Sequence, residues 1–107
     1  MDLASKKCEV CEGGTPPMDS KEIQNLITEL NGNWEVIDNH HLAREFNFDD
    51  FEEALEFTNK IGKLAEKEGH HPDIKLSYGR VKVEIYTHKV EGLTESDFIL
   101  AAKIDQL

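Results

Sequence analysis

Residues 74–85 read IKLSYGRVKVEI, two alternating apolar runs with a glycine between them. Ile74, Leu76 and Tyr78 alternate with polar neighbours, and so do Val81, Val83 and Ile85. A period of two belongs to a strand with one buried face, so the pair of runs demands a hairpin. Gly79-Arg80 separates them, and a two-residue loop led by glycine suits a type II′ turn. That turn sets Tyr78 opposite Val81, Leu76 opposite Val83 and Ile74 opposite Ile85. Continued outward, the same register brings His71 opposite His88. Directly opposed residues have Cβ atoms about 4.5–5.5 Å apart, close enough for two imidazoles to hold one small substrate. A slip of one residue would destroy the pairing. His70 lies beside the pair. Three of the five histidines thus fall in the stretch Glu66 to His88.

The rest of the chain supplies elements on either side of this hairpin. A first helix is predicted from Ser20 to Asn31. Asp19 and Glu22 have capping-box spacing, Ile23, Leu26, Ile27 and Leu30 form one stripe, and Gly32 is a stop. Trp34 to Ile37 and Leu42 to Phe48 read as two strands joined by a turn at Asp38-Asn39-His40. His40 and His41 are expected to be solvated there. A second helix begins at Asp49 or Asp50 and buries Phe51, Ala54, Leu55, Thr58, Ile61 and Ala65. It ends at Gly69, and Pro72 forces His71 into extended backbone. A last helix follows Thr94, with Asp97 as its capping partner and Phe98, Ala101 and Ile104 on its apolar side. The order is α-β-β-α-β-β-α. Its simplest arrangement is an α+β fold, one four-stranded antiparallel sheet with helices packed on one face.

Composition narrows the function. Residues 1–18 form an N-terminal arm without clear period, and residues 19–107 one domain of ordinary size. Net charge is −10, with 22 acidic against 12 basic residues and no basic stripe, which argues against nucleic acid or an anionic membrane as partner. No long apolar run or signal-peptide core is present, so a cytoplasmic location is the default expectation. In the arm, Cys8 and Cys11 have the spacing of half a zinc site. No second ligand pair stands nearby, and two ordinary thiols are the simpler reading.

No nucleophile elbow, P-loop or dinucleotide fingerprint accompanies the histidines. Three neutral imidazoles could bind zinc. Against this, the adjacent His70 and His71 point differently and need not converge with His88 on a metal. The other option is acid–base work, because an imidazole near neutrality can donate a proton while another accepts one. Such a pair suits elimination of water from a compact polar substrate.

Glu66-x-x-x-His70-His71-Pro72, then Tyr78, His88 and Asp97 at their spacings, resembles the signature of the pterin-4a-carbinolamine dehydratase family. The resemblance covers about residues 19–107, with Trp34 opening the first strand and Phe46-x-Phe48 before the long helix. It departs from mammalian members, which carry acidic residues where this chain has Gly69 and Lys89. The resemblance implies a homodimer or homotetramer that needs no cofactor or metal. It implies dehydration of a 4a-hydroxytetrahydropterin, formed by an aromatic amino acid hydroxylase, to a quinonoid dihydropterin. It places His70, His71 and His88 at the reacting centre. It implies that Gly69, Tyr86, Thr87 and Lys89 border the pterin and that Glu66 and Asp97 orient the imidazoles from behind; Trp34 is read either as core, the commoner fate of a tryptophan, or as a wall of the pterin pocket. Some relatives bind other proteins instead, so a non-catalytic pterin-binding or protein-interaction module is the alternative.

Overall fold

A computed structural model describes residues 18–30 and 33–107, with Lys89 described by its backbone alone. The expected features at Cys8, Cys11 and Gly32 lie outside the described residues.

Helix α1 spans Ser20–Ile27, and the Asp19 carboxylate accepts the Glu22 N–H at 2.9 Å. It stops short of the expected Asn31. After Ile27 the chain tightens into shorter-range bonds, Glu29 N–H to Leu26 O at 3.0 Å and Leu30 N–H to Ile27 O at 3.2 Å. These satisfy the helix's last carbonyls while still burying Leu30. Strands β1 (Glu35–Ile37) and β2 (His41–Asn47) form the first hairpin. Its turn residues Asp38 and Asn39 both have φ +54°, in the left-handed region that short polar side chains tolerate best.

Helix α2 spans Phe51–Glu68, capped by the Asp50 carboxylate, which accepts the Glu53 N–H at 2.8 Å. Its contact line runs through Ala54, Ile61 and Ala65, with Phe57 and Leu64 half-buried beside it. Phe51 and Leu55, expected on that line, sit to one side of it and are 44% and 40% exposed. Gly69 ends the helix at φ 67° and ψ 24°, as its position predicted.

Strands β3 (Asp73–Ser77) and β4 (Arg80–Ile85) form the second hairpin, in a different register from the expected one. Leu76 pairs with Val81, Ile74 with Val83 and Asp73 with Glu84. The loop is Tyr78-Gly79, closed by the pair Ser77 and Arg80. Gly79 has φ +67° and occupies the second loop position, whereas a type II′ turn needs its left-handed residue first. A Cβ on Gly79 would stand 2.9 Å from the Phe48 carbonyl oxygen, and that site also receives a hydrogen bond from Phe48 N–H to Gly79 O at 2.8 Å. The turn is therefore placed by contact with the end of β2. Tyr78 is left 75% exposed. Every partner moves by two residues, so inward faces are kept and cross-strand pairs are not. His71 and His88 lie beyond the strand ends and are not directly opposed.

The sheet order is β1-β2-β4-β3, antiparallel throughout. Leu42, Val81, Val83 and Ile85 point to the core from its two central strands and are fully buried. Helix α3 (Glu95–Ile104) is enclosed on more sides than a single stripe requires: Phe98, Ile99, Leu100, Ala101 and Ile104 are all buried. Each large apolar side chain buried this way contributes about 1.5–3 kcal/mol. The described residues include no helix long and apolar enough to cross a membrane.

Candidate functional site

The site is organised by Asp97, a carboxylate with no exposed surface near the start of α3. Its Oδ2 accepts the Thr94 N–H at 2.7 Å and the Thr87 hydroxyl at 2.9 Å. Thr94 in turn caps the helix, its side chain accepting from the backbone of Asp97. The Thr87 and Thr94 hydroxyl oxygens are 3.0 Å apart. Thr87 has already given its one hydrogen to Asp97, so Thr94 donates to Thr87. The Thr94 hydroxyl also stands 3.5 Å from Oδ2.

The other oxygen, Oδ1, lies 2.6 Å from His70 Nε2. Gly69 makes this contact possible: its left-handed backbone turns the chain off α2 and sends the next residue toward α3. The His70 N–H also bonds the Ala65 carbonyl at 3.2 Å, closing the helix end. With N–H and O–H donors on Oδ2, the carboxylate acts as acceptor, and His70 Nε2 carries the hydrogen between them. The His70 Nδ1 is then the nitrogen able to take up a proton. Only 15% of the side chain is exposed. A buried carboxylate behind an imidazole fixes its tautomer and orientation, which is what a proton-transfer group requires.

Thr87 connects this network to the third histidine. Residues Thr87 and Gly92 form a bridge, with Thr87 N–H to Gly92 O at 2.9 Å, and His88–Val90 make a short 3₁₀ turn inside it. Asp97 thus holds His70 directly and, through Thr87, the loop that begins with His88. The His88 ring is exposed and packs edge-on against Tyr86, with centroids 4.2 Å apart.

The remaining expected site residues divide. His71 is 60% exposed, with Nε2 3.5 Å from a Glu66 carboxylate that is itself 81% exposed. Such a surface pair contributes little to stability. Trp34 is buried at 4%, and its indole Nε1 donates to both Asp105 oxygens at 2.9 and 3.1 Å. It joins β1 to the end of α3 and has almost no surface with which to border a ligand. Thr87 is likewise spent inside the network.

His40 and His41 depart from the expected solvated turn. Their Nδ1 atoms are 3.1 Å apart, and the His40 ring lies 4.6 Å from Tyr86. The register Leu42 to Ile85 carries His41 alongside Tyr86, but that pairing of non-sequential strands has no local signal in the sequence. Among the described residues no three His, Cys, Asp or Glu side chains are grouped to hold a metal ion. Two open hollows, of about 600 and 650 Å³, have none of His70, His71 and His88 in their lining: one is bordered by Arg44, Phe46, Phe57 and Lys60, the other by the sheet around His41, Ala43, Lys82 and Glu84.

Comparison with known proteins bears on the family and the fold. The model of the family described as pterin 4 alpha carbinolamine dehydratase matches residues 16–107. A protein of Alkaliphilus metalliredigens is 58% identical over 105 residues, covering 98% of this chain and 95% of its own. One of Rubrobacter xylanophilus is 52% identical over 106 residues, covering 99% and 98%. Both bear the name "putative pterin-4-alpha-carbinolamine dehydratase". Among solved structures, the transcriptional coactivator/pterin dehydratase from Brucella melitensis matches with a TM-score of 0.78 and 32% identity, covering 84% of this chain and 96% of that one. A pterin dehydratase-like protein described as a RuBisCO assembly factor shares the fold at a TM-score of 0.60 and 21% identity, covering 69% of this chain and 87% of its own.

Proposed function

The chain belongs to the pterin 4 alpha carbinolamine dehydratase family, and from that membership we propose that it is a hydro-lyase acting on a 4a-hydroxytetrahydropterin. The product is a quinonoid dihydropterin, and the step serves tetrahydropterin recycling after an aromatic amino acid hydroxylase, in the cytoplasm. The C4a–O bond breaks as the leaving oxygen takes a proton and departs as water. The ring nitrogen loses its own proton and its electrons form the new double bond. The pterin itself supplies this electron push, so the proposal calls for no metal or cofactor.

The single observation that supports the acid–base role is the 2.6 Å contact between His70 and the buried Asp97. His70 is the base in this reading, because the carboxylate behind it holds the hydrogen on Nε2 and leaves Nδ1 to accept a proton. His88, exposed on the adjoining loop, delivers the proton to the leaving hydroxyl. His71 orients the substrate from the surface, with Gly69, Tyr86 and Lys89 along the rim.

The test is dehydration of chemically prepared 4a-hydroxytetrahydropterin, followed by absorbance. His70→Ala and His88→Ala should each lose about 10²–10⁴-fold in turnover, and His71→Ala much less. Equal losses at all three would refute the division of roles. A second reading is a non-catalytic interaction module, favoured by the coactivator named in the description of the Brucella structure. Wild-type protein that binds a pterin without dehydrating it would establish that reading instead.

A further inference from the structure

The β1–β2 turn is built more tightly than a solvated connection needs. Asp38 and Asn39 are both left-handed, at φ +54°. Asn39 Nδ2 donates to the Ser20 hydroxyl at 2.8 Å, which ties the turn to α1, and the His40 N–H closes it on Ile37 O at 2.8 Å. Short polar side chains tolerate that conformation best, and these bonds hold the turn in it.

What the turn presents is His40. Its ring lies 4.6 Å from the Tyr86 ring at an interplanar angle of 41°. Tyr86 in turn meets His88 at 4.2 Å and 70°. Behind His40 stands His41, whose Nε2 is 3.2 Å from a Glu84 oxygen. With a carboxylate there, His41 keeps its hydrogen on Nε2 and offers the Nδ1 lone pair to the His40 Nδ1–H. Glu84, His41, His40, Tyr86 and His88 therefore form one contiguous row from β4 through β2 to the 87–92 loop. Glu91 is the other charged group near His40, with an oxygen 3.8 Å from Nε2. It is 80% exposed and holds the ring weakly.

We propose that His40 is a positioning residue for His88, acting through Tyr86. His88 sits on an exposed loop and, among the described residues, has no recorded hydrogen bond from its ring. Its ring packs on Tyr86, and the Tyr86 ring is in turn met by His40. The inference rests on the proposed dehydration only for its effect on turnover; the buttressing itself is a structural statement.

The experiment compares wild type with His40→Ala, His40→Phe and Tyr86→Leu. The ring resonances of His88 are read by NMR, and dehydration kinetics are measured alongside. His40→Ala and Tyr86→Leu should shift and broaden the His88 ring signals. Both should lower kcat roughly 10- to 100-fold, and His40→Ala, which does not border the pterin, should leave KM nearly unchanged, the loss expected when a reacting group is misplaced. His40→Phe keeps a flat ring on Tyr86 and should retain the His88 signals and most of the turnover. Unmoved His88 signals in His40→Ala overturn the proposal, as does a His40→Phe protein that loses as much as the alanine variant. Signals that move as expected in a protein without dehydratase activity sustain the buttress and reject the activity.

Discussion

Asp97 serves two structures at once, and its chemistry explains how. A carboxylate has two oxygens with about four acceptor sites between them. One oxygen completes the capping of α3, and the other restrains His70. Replacing it by the isosteric amide keeps one side and reverses the other. In Asp97→Asn the carbonyl can keep the Thr87 and Thr94 donors, while the NH₂ faces His70 Nε2, which accepts it only in the other tautomer. Trading charge-assisted bonds for neutral ones should cost about 1–2 kcal/mol, measurable by urea denaturation. Turnover should fall with it, because the tautomer of His70 is no longer imposed. A variant of unchanged stability would show that the Asp97 contacts are not made in solution.

Among the elements, the end of α3 carries the clearest pH-dependent junction. Asp105 accepts from the Trp34 indole and forms an ion pair with Arg44, whose guanidinium also lies 4.3 Å over the Phe46 ring. Burial pushes the Asp105 carboxyl above the usual carboxylate range, despite the opposing pull of Trp34 and Arg44. A group raised in the folded state contributes stability fully below its unfolded pKa and loses it as pH rises through the folded one. Compared with Asp105→Asn, which cannot titrate there, wild type should therefore lose relative stability as pH rises above the ordinary carboxylate range. Urea unfolding of both proteins over that rise measures the difference. A relative gain with rising pH would mean that the Arg44 pairing outweighs the desolvation. The elements themselves were largely legible in the residues. The Asp19 and Asp50 caps, the Gly69 stop and the alternation of both hairpins act over three or four residues. The loop of the second hairpin was not, because the placement of Gly79 depends on Phe48, which arrives from a different strand.

For the whole molecule, the family membership leads to the proposal that copies of this chain assemble as a homodimer or homotetramer. The fold leaves Phe51 and Leu55 substantially exposed on α2. Large apolar side chains exposed four residues apart on one helix are a candidate contact surface. Sedimentation velocity should give two or four times the 12.2 kDa chain mass at micromolar concentration. A monomer at that concentration would reject the assembly. With a net charge of −10 the copies repel one another, so association should strengthen as salt is added. The amino acids alone determined the helix starts set by caps, the stop of α2 at Gly69, the inward faces of the strands, and the concentration of histidines after α2. Those depend on side-chain period and on backbone preferences, which are local. Tertiary structure decided the strand order, the hairpin register, the enclosure of Trp34, and the meeting of His40 with Tyr86. Each of these is a contact between segments distant in the chain, and its energy does not exist until the core between them has formed.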